Sequence, residues 1–544
     1  MTRRAALLLA VLAFVAAAVG LPRAQGGLGS IDFPTSGSAA AQPAFLKGVL
    51  LMHSFEYDDA KEAFQEAQKA DPGFAMAYWG EAMTYNHAVW QQTAPDLAKA
   101  ALARLAPTAE GRLARTPTPR EKDWLTSVDS LYGPGEKHQR DLAYAESLSR
   151  MHDKYPADLE VTAFYALALL GTSQGRDFSI YMRAAALAED VYLKNPQHPG
   201  AAHYLIHAFD DPIHAPLGLR YADAYAKIAP TASHALHMPS HIYFALGMWD
   251  EASALNERSV KAADERVARK GLGVDDRGFH ALLWLVYSYA QQGRYQDAKG
   301  VLAQIEADAA KSGSVRTRSH LALARSAWLI ETRHWGDAKA AVDPKGLGDD
   351  AAAADLFAIG YSAIKKGDRV GAQNALQSMA SLAGDAPLED HTSHAGQPQT
   401  GLPAAGAGGD RKVPALMAQQ LEALLLFTEG RREEAVVLVR QASVVEDELS
   451  FEFGPPVPVK PTHELLGEML MDLRRPKEAV QEFERSLEKA PKRALSLLGL
   501  ARAATAARDQ ITARRAYREL QQVWKKADKT LPELKELGAA VPPS

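Results

Sequence analysis

Residues 41–74 read AQPAFLKGVLLMHSFEYDDAKEAFQEAQKADPGF. Two helix-length segments meet at a polar turn. Small residues stand at Gly48 in the first segment and at Ala60 and Ala67 in the second, where they let two antiparallel helices approach. Tyr57 and Phe64 fill the space that the small residues open, and Pro72 stops the second helix because it lacks an N–H. A pair of this kind cannot bury its apolar faces alone, so the stretch calls for further copies stacked beside it.

Further copies are present. The register resumes at 75 with Tyr78, Ala82 and Tyr85, and at 233 with Leu246, Gly247, Trp249 and Ala252. It returns at 279 (Tyr289, Gly293, Tyr295, Ala298), at 319 (Trp335, Ala338) and at 353 (Gly360, Gly367, Ala372, Leu376). Registers at 416 (Ala423, Gly430, Ala435, Ala442), 460 (Gly467, Ala479, Phe483, Pro491) and 494 (Ala501, Ala513, Tyr517) follow. Looser ones start at 165 and 199, anchored by Pro196 and Pro230, one 34-residue period apart. The unit resembles the tetratricopeptide repeat (TPR), a helix–turn–helix of 34 residues. The chain is therefore expected to be all-α, a TPR-type α-solenoid built as a superhelix of about ten antiparallel helix pairs.

The breaks in the pattern set the domain organisation. Residues 1–24 read as a signal peptide: Arg3 and Arg4, the apolar run Ala5 to Val19, then small residues with cleavage after Gly20 or Ala24. Residues 25–43 are expected to be a flexible arm, 44–382 an N-terminal TPR array, and 383–414 a Gly-, Pro- and Ala-rich inserted loop. Residues 415–535 form C-terminal repeats and 536–544 a tail. Residues 104–140, with TPTPREKDW, depart from the repeat and are expected to form a variant helical pair. FGPPVPVKP at 453–461 cannot be helical; it reads as a stiff spacer, with a strap reaching into the groove as the alternative.

The formal charge is −5, and about −8 without Arg3, Arg4 and Arg23, which argues against a nucleic-acid binder. The absence of cysteine excludes disulfides, thiolate metal sites and cysteine nucleophiles. The leader implies a periplasmic or extracellular protein with no membrane span after cleavage, with an uncleaved N-terminal anchor as the alternative. GTSQG at 171–175 lacks the strand–turn–helix context of a nucleophile elbow, and HELLGE at 463–468 is not the zincin motif H-E-x-x-H.

The histidines carry the chemistry. In TPR proteins, positions 2, 5, 9, 12 and 13 of each first helix line the concave groove. Laid on the registers above, that template puts His203 and His207 at positions 5 and 9, and His237 and His241 at the same positions one repeat later. His234, His280 and His320 fall at position 2, and His53 and His87 at position 13. Nine of the 17 histidines thus face the groove, far more than even scatter over 544 residues would place there. Histidines four apart share a helical face, and two such pairs on neighbouring helices can converge on one ion. The expected metal set is His203, His207, His237 and His241, with Asp210 and Asp211 adding oxygen ligands. Neutral imidazole suits zinc, copper or iron as the divalent ion. His53, His87, His234, His280, Trp79, Asn86 and Tyr287 are expected to line a ligand groove. His53 and His87, with Met52, Met76 and Met83 nearby, form a second cluster of a kind that suits copper, with ordinary helix packing of the methionines as the alternative.

LLMHSFEYDDAKEAF, AMAYWGEAMTYNHAVW, HPGAAHYLIHAFDDP, HALHMPSHIYFALGMWDEA and PPVPVKPTHELLGEMLMDLRRPKEAVQEFERSL are similar to a bacterial family of secreted TPR proteins. That resemblance implies the fold, and that His198, His203, His207, His237 and His241 recur together; it implies no particular activity. Three functions remain open. One is a scaffold binding a protein, peptide or small ligand in the groove. The others are a metal-dependent enzyme (hydrolase or oxidase) and a periplasmic metal carrier.

Overall fold

The computed structural model describes residues 26–384, 412–449 and 453–540. The leader, most of the inserted loop with His391 and His394, and the last four residues lie outside them. The described residues form an α-solenoid, and the two two-residue strands Asn86–His87 and Gln92–Thr93 are their whole sheet content. Among them no helix is long and apolar enough to cross a membrane.

The repeat packs as its small and large residues require. The Phe64 ring, on Tyr57–Ala70, lies between Gly48 of Gln42–His53 and Gly80 of Ala75–Met83. A Cβ at Gly48 would come to 2.7 Å from that ring, and one at Gly80 to 2.3 Å. Phe483 repeats the arrangement, with a Cβ at Gly467 or Gly499 falling 2.9 or 2.3 Å from it. Each second-helix aromatic thus fills the space left by two glycines and joins its own first helix to the next.

Three expectations change. Residues 26–33 are not a loose arm: Ser30 N donates to Gln197 O at 2.9 Å, and Phe33 stacks on Phe45 at 5.3 Å between centroids. The variant pair at 104–140 is three helices, Ala109–Ala114, Pro119–Leu131 and Lys137–Lys154, the first two capped by Thr108 and Thr118. The register from 319 keeps its first helix, Val315–Thr332, but not its second. After a single turn at Trp335–Asp337 the chain runs without helix to Asp349, where Val342 N donates to Asp355, itself paired with buried Arg325.

The solenoid closes on itself. Arg266 and Lys270 of Trp249–Lys270 pair with Asp59 of the first repeat. From the far end, Trp249 Nε1 donates to Lys492 O at 3.1 Å, Trp524 Nε1 to Gln291 O at 3.0 Å and Asp528 N to Gly293 O at 3.0 Å. The segment 453–460 is a strap, not a spacer. Phe453 lies on His241 with ring centroids 5.0 Å apart, and Gly454 (φ +97°) sits so close to Trp284 that a Cβ would be 2.6 Å from it. Inward-facing groups are therefore covered by other parts of the same chain.

Candidate metal centre

His203 and His207 project from Pro199–Phe209, a helix begun by Pro199 and capped by the His198 ring, whose Nδ1 accepts from Ala201 N. His237 ends Ser233–His237, and His241 lies on Pro239–Ala245; Pro239 interrupts the helix between them. The ring nitrogens still meet: His203 Nε2 to His207 Nε2 and His237 Nε2 to His241 Nε2 are both 3.1 Å.

The four imidazoles do not share one point. Each pair instead takes its third member from the N-terminal end of the next first helix. His234 Nε2 lies 3.2 Å from His203 Nε2 and completes one triad; His280, on Phe279–Gln291, completes the other with His237 and His241. Within each triad the three ligand nitrogens lie within 4.8 Å of one another. The triads are neighbours, with His207 and His241 ring centroids 6.1 Å apart and those of His234 and His237 6.2 Å apart. The sequence placed His234 and His280 in the groove but not among the ligands. Their shared position 2, adjacent to position 5 of the same face, was the available signal.

Asp210 and Asp211 fall outside both triads. Asp210 Oδ2 accepts from His241 Nδ1 at 2.6 Å, and Asp211 is held by Arg176 and His214. Both sit where a buried carboxylate finds N–H donors, one step behind the imidazoles. Asp210 thus orients His241 as an outer partner orients a metal-binding histidine.

His53 and His87 do not pair. His53 receives the Tyr204 hydroxyl at Nδ1 (2.7 Å) and directs Nε2 to Glu160 at 2.9 Å, whose other oxygen faces His198 Nε2 at 3.1 Å. Each proton in this buried trio has an acceptor, so it is complete without an ion. Its link to the centre is the His53 carbonyl, which accepts from His203 Nδ1 at 2.7 Å. His87 stacks on Tyr57 at 4.0 Å. Trp79 is fully buried among Phe33, Trp124 and Phe164, a core residue rather than groove lining. Asn86 is buried beside Met83 in a small apolar recess. Tyr287, with His280 and Trp284, lines an apolar cleft closed on one side by Phe453, Pro456 and Val457. His320 hydrogen-bonds Arg316 O at 2.8 Å, apart from both triads.

Burial dominates the electrostatics. It pushes His203 down to about 3, and His207, His234, His237 and His280 well below the usual imidazole value; neighbouring imidazoles lower all five further, opposed by the His53 carbonyl at His203 and by Asn256 at His237. At neutral pH these rings are uncharged, the form in which histidine binds metal.

A tetratricopeptide-repeat family model matches residues 41–74, the stretch with the Gly48–Phe64 packing. No curated protein matches the chain. Among solved structures it is similar to the APC/C hetero-tetramer Cut9–Hcn1 at 12% identity, over 94% of this chain and 78% of that one, with a TM-score of 0.32. It is also similar to the human IFIT1 dimer with m7Gppp-AAAA at 12% identity, over 92% of each chain, with a TM-score of 0.35. Overlap this low says nothing of a ligand.

Proposed function

We propose that this is an exported TPR protein whose inner face holds a metal centre built from histidine alone. One observation supports the reading above the rest. His241 Nδ1 faces the Asp210 carboxylate and His237 Nδ1 faces Asn256 Oδ1 at 2.7 Å, so both Nδ1 atoms carry the ring proton. In the neutral rings both Nε2 atoms then present lone pairs, and they face each other at 3.1 Å. Two lone pairs at that distance repel unless a cation lies between them. Burial holds His237 well below the usual range, which disfavours a proton on its Nε2. A metal ion relieves the contact and would also use His280, whose buried Nδ1 has no hydrogen-bond partner. The contrast with the fully satisfied His53–Glu160–His198 trio is internal to the same protein.

The closed inner face counts against an extended peptide as the ligand there. The protein-binding capacity of a TPR scaffold belongs on its outer surfaces in this reading. The test is metal analysis of protein purified from its native compartment without a histidine tag. Metal bound to wild type and reduced in His241→Ala supports the centre. Metal-free protein that takes up neither zinc nor copper in solution overturns it.

A further inference from the structure

The two triads lie side by side, and this relation reaches beyond metal binding as such. We propose that they hold a pair of copper ions, one per triad, that binds dioxygen between them as bridging peroxide. The proposal rests on the metal-centre reading above.

His207 and His241 belong to different triads, yet their ring centroids are 6.1 Å apart, and His234 and His237 are 6.2 Å apart. Rings this close place the two triads side by side, the arrangement in which two ions share one bridging ligand, on the order of 4 Å apart. Three nitrogen ligands per ion leave each with a free coordination position.

Imidazole is a neutral ligand, so six histidines bring no charge to the ions they hold. The nearest carboxylates are already engaged: Asp210 with His241 Nδ1, Asp211 with Arg176 and His214, and Glu56 with the backbone N of His234 at 3.0 Å. Two divalent ions would place four positive charges in a buried site without an anionic ligand, which is strongly unfavourable. Two monovalent copper ions place only two, and imidazole suits copper. Dioxygen then changes nothing in the total: two Cu(I) and O2 become two Cu(II) and one peroxide dianion. Each copper gives one electron, both enter dioxygen, no proton is consumed, and the centre carries two positive charges before and after. The site is thus matched to a ligand that acquires two negative charges as it binds.

His280 contributes to the second triad and also lines the apolar cleft with Trp284, Tyr287 and Phe453. The lining is apolar, as entry of dioxygen to that triad would require, and Phe453, Pro456 and Val457 of the strap form part of it.

The experiment loads untagged, metal-stripped protein anaerobically with Cu(I), removes the excess, counts copper per chain, and then admits oxygen. Two coppers per chain are expected, with a new near-ultraviolet charge-transfer absorption on oxygenation. No Cu(II) paramagnetic resonance signal is expected, because two Cu(II) ions bridged by peroxide couple their spins. His234→Ala and His280→Ala should each drop to one copper and show the ordinary Cu(II) signal after oxidation. If either fails to fold, the stoichiometry and spin state of wild type decide alone. Two coppers that give a full Cu(II) signal, or no oxidation by oxygen, overturn the paired centre. One copper per chain overturns it too, while leaving the metal-centre reading intact; no uptake of copper or zinc removes both.

Discussion

Asp210→Asn isolates the role of the carboxylate behind the centre. Asp210 is 1% exposed, and its Oδ2 takes the Nδ1 proton of His241 at 2.6 Å, which leaves Nε2 free to ligate. Asparagine is nearly the same size, so packing is preserved, but its negative charge is gone. Its amide group also competes to donate to Nδ1, which would move the ring proton to the ligating nitrogen. Outer partners of this kind are worth about 10–100-fold in metal affinity, or about 1.4–2.8 kcal/mol. Asp210→Ala, which leaves Nδ1–H unpaired in a buried site, should lose at least as much. Affinity is read by competition with a chromophoric chelator, with circular dichroism confirming that the helices remain. In His241→Ala the further change Asp210→Asn should add little, since the group it acts through is absent. An Asp210→Asn protein that binds as tightly as wild type, while His241→Ala does not, would refute this account of how His241 is held.

Stability should fall steeply with acidity. His203 and His320 are both held at about 3, so from pH 6.5 downward the unfolded chain takes up protons there that the native metal-free protein does not. Each ring then removes about 1.4 kcal/mol of stability per pH unit below 6.5, a loss complete only below pH 3; urea titrations at pH 7, 6 and 5 measure it, and a flat profile would contradict the buried neutral state. Gly80→Ala should destabilise by about 1–3 kcal/mol because its Cβ would meet the Phe64 ring at 2.3 Å, and Phe64→Leu in the same chain should recover part of that. Arg493, fully buried between Glu331 and Glu464 with Tyr287 on its Nη1, should cost about 3–5 kcal/mol as Arg493→Ala, read as a lower denaturation midpoint.

The fold was legible because its rule is local. Gly48, Phe64 and Pro72 state the helix pair within one repeat, and the recurrence of the same residue types states the stack. The candidate centre was legible in part. The i, i+4 spacing set His203 with His207 and His237 with His241, but not which helix supplies each third ligand. That depends on the angle between successive repeats, which no single repeat encodes. Asp210 and Asp211 follow His207 closely enough to suggest ligation, yet whether a carboxylate meets the ion or the far side of a ring depends on where the helix ends. His53 and His87 share a register position, but the chain leaves the helix after Met83 and carries His87 into a two-residue strand. The strap was the least legible, since proline exclusion of helix says nothing of where the extended chain travels.

Closure of the solenoid alters how it comes apart. An open repeat array behaves as a row of neighbours, so its ends can fray and its middle persist. Here Asp59 of the first repeat is clasped by Arg266 and Lys270, and Trp249 is held by a carbonyl from residue 492. Loss of either end therefore strips contacts from the centre of the chain as well as from its neighbour. The protein should melt as one unit, and the ring nitrogens should come into register only when both ends have docked, so that a filled metal site reports completion of the whole superhelix.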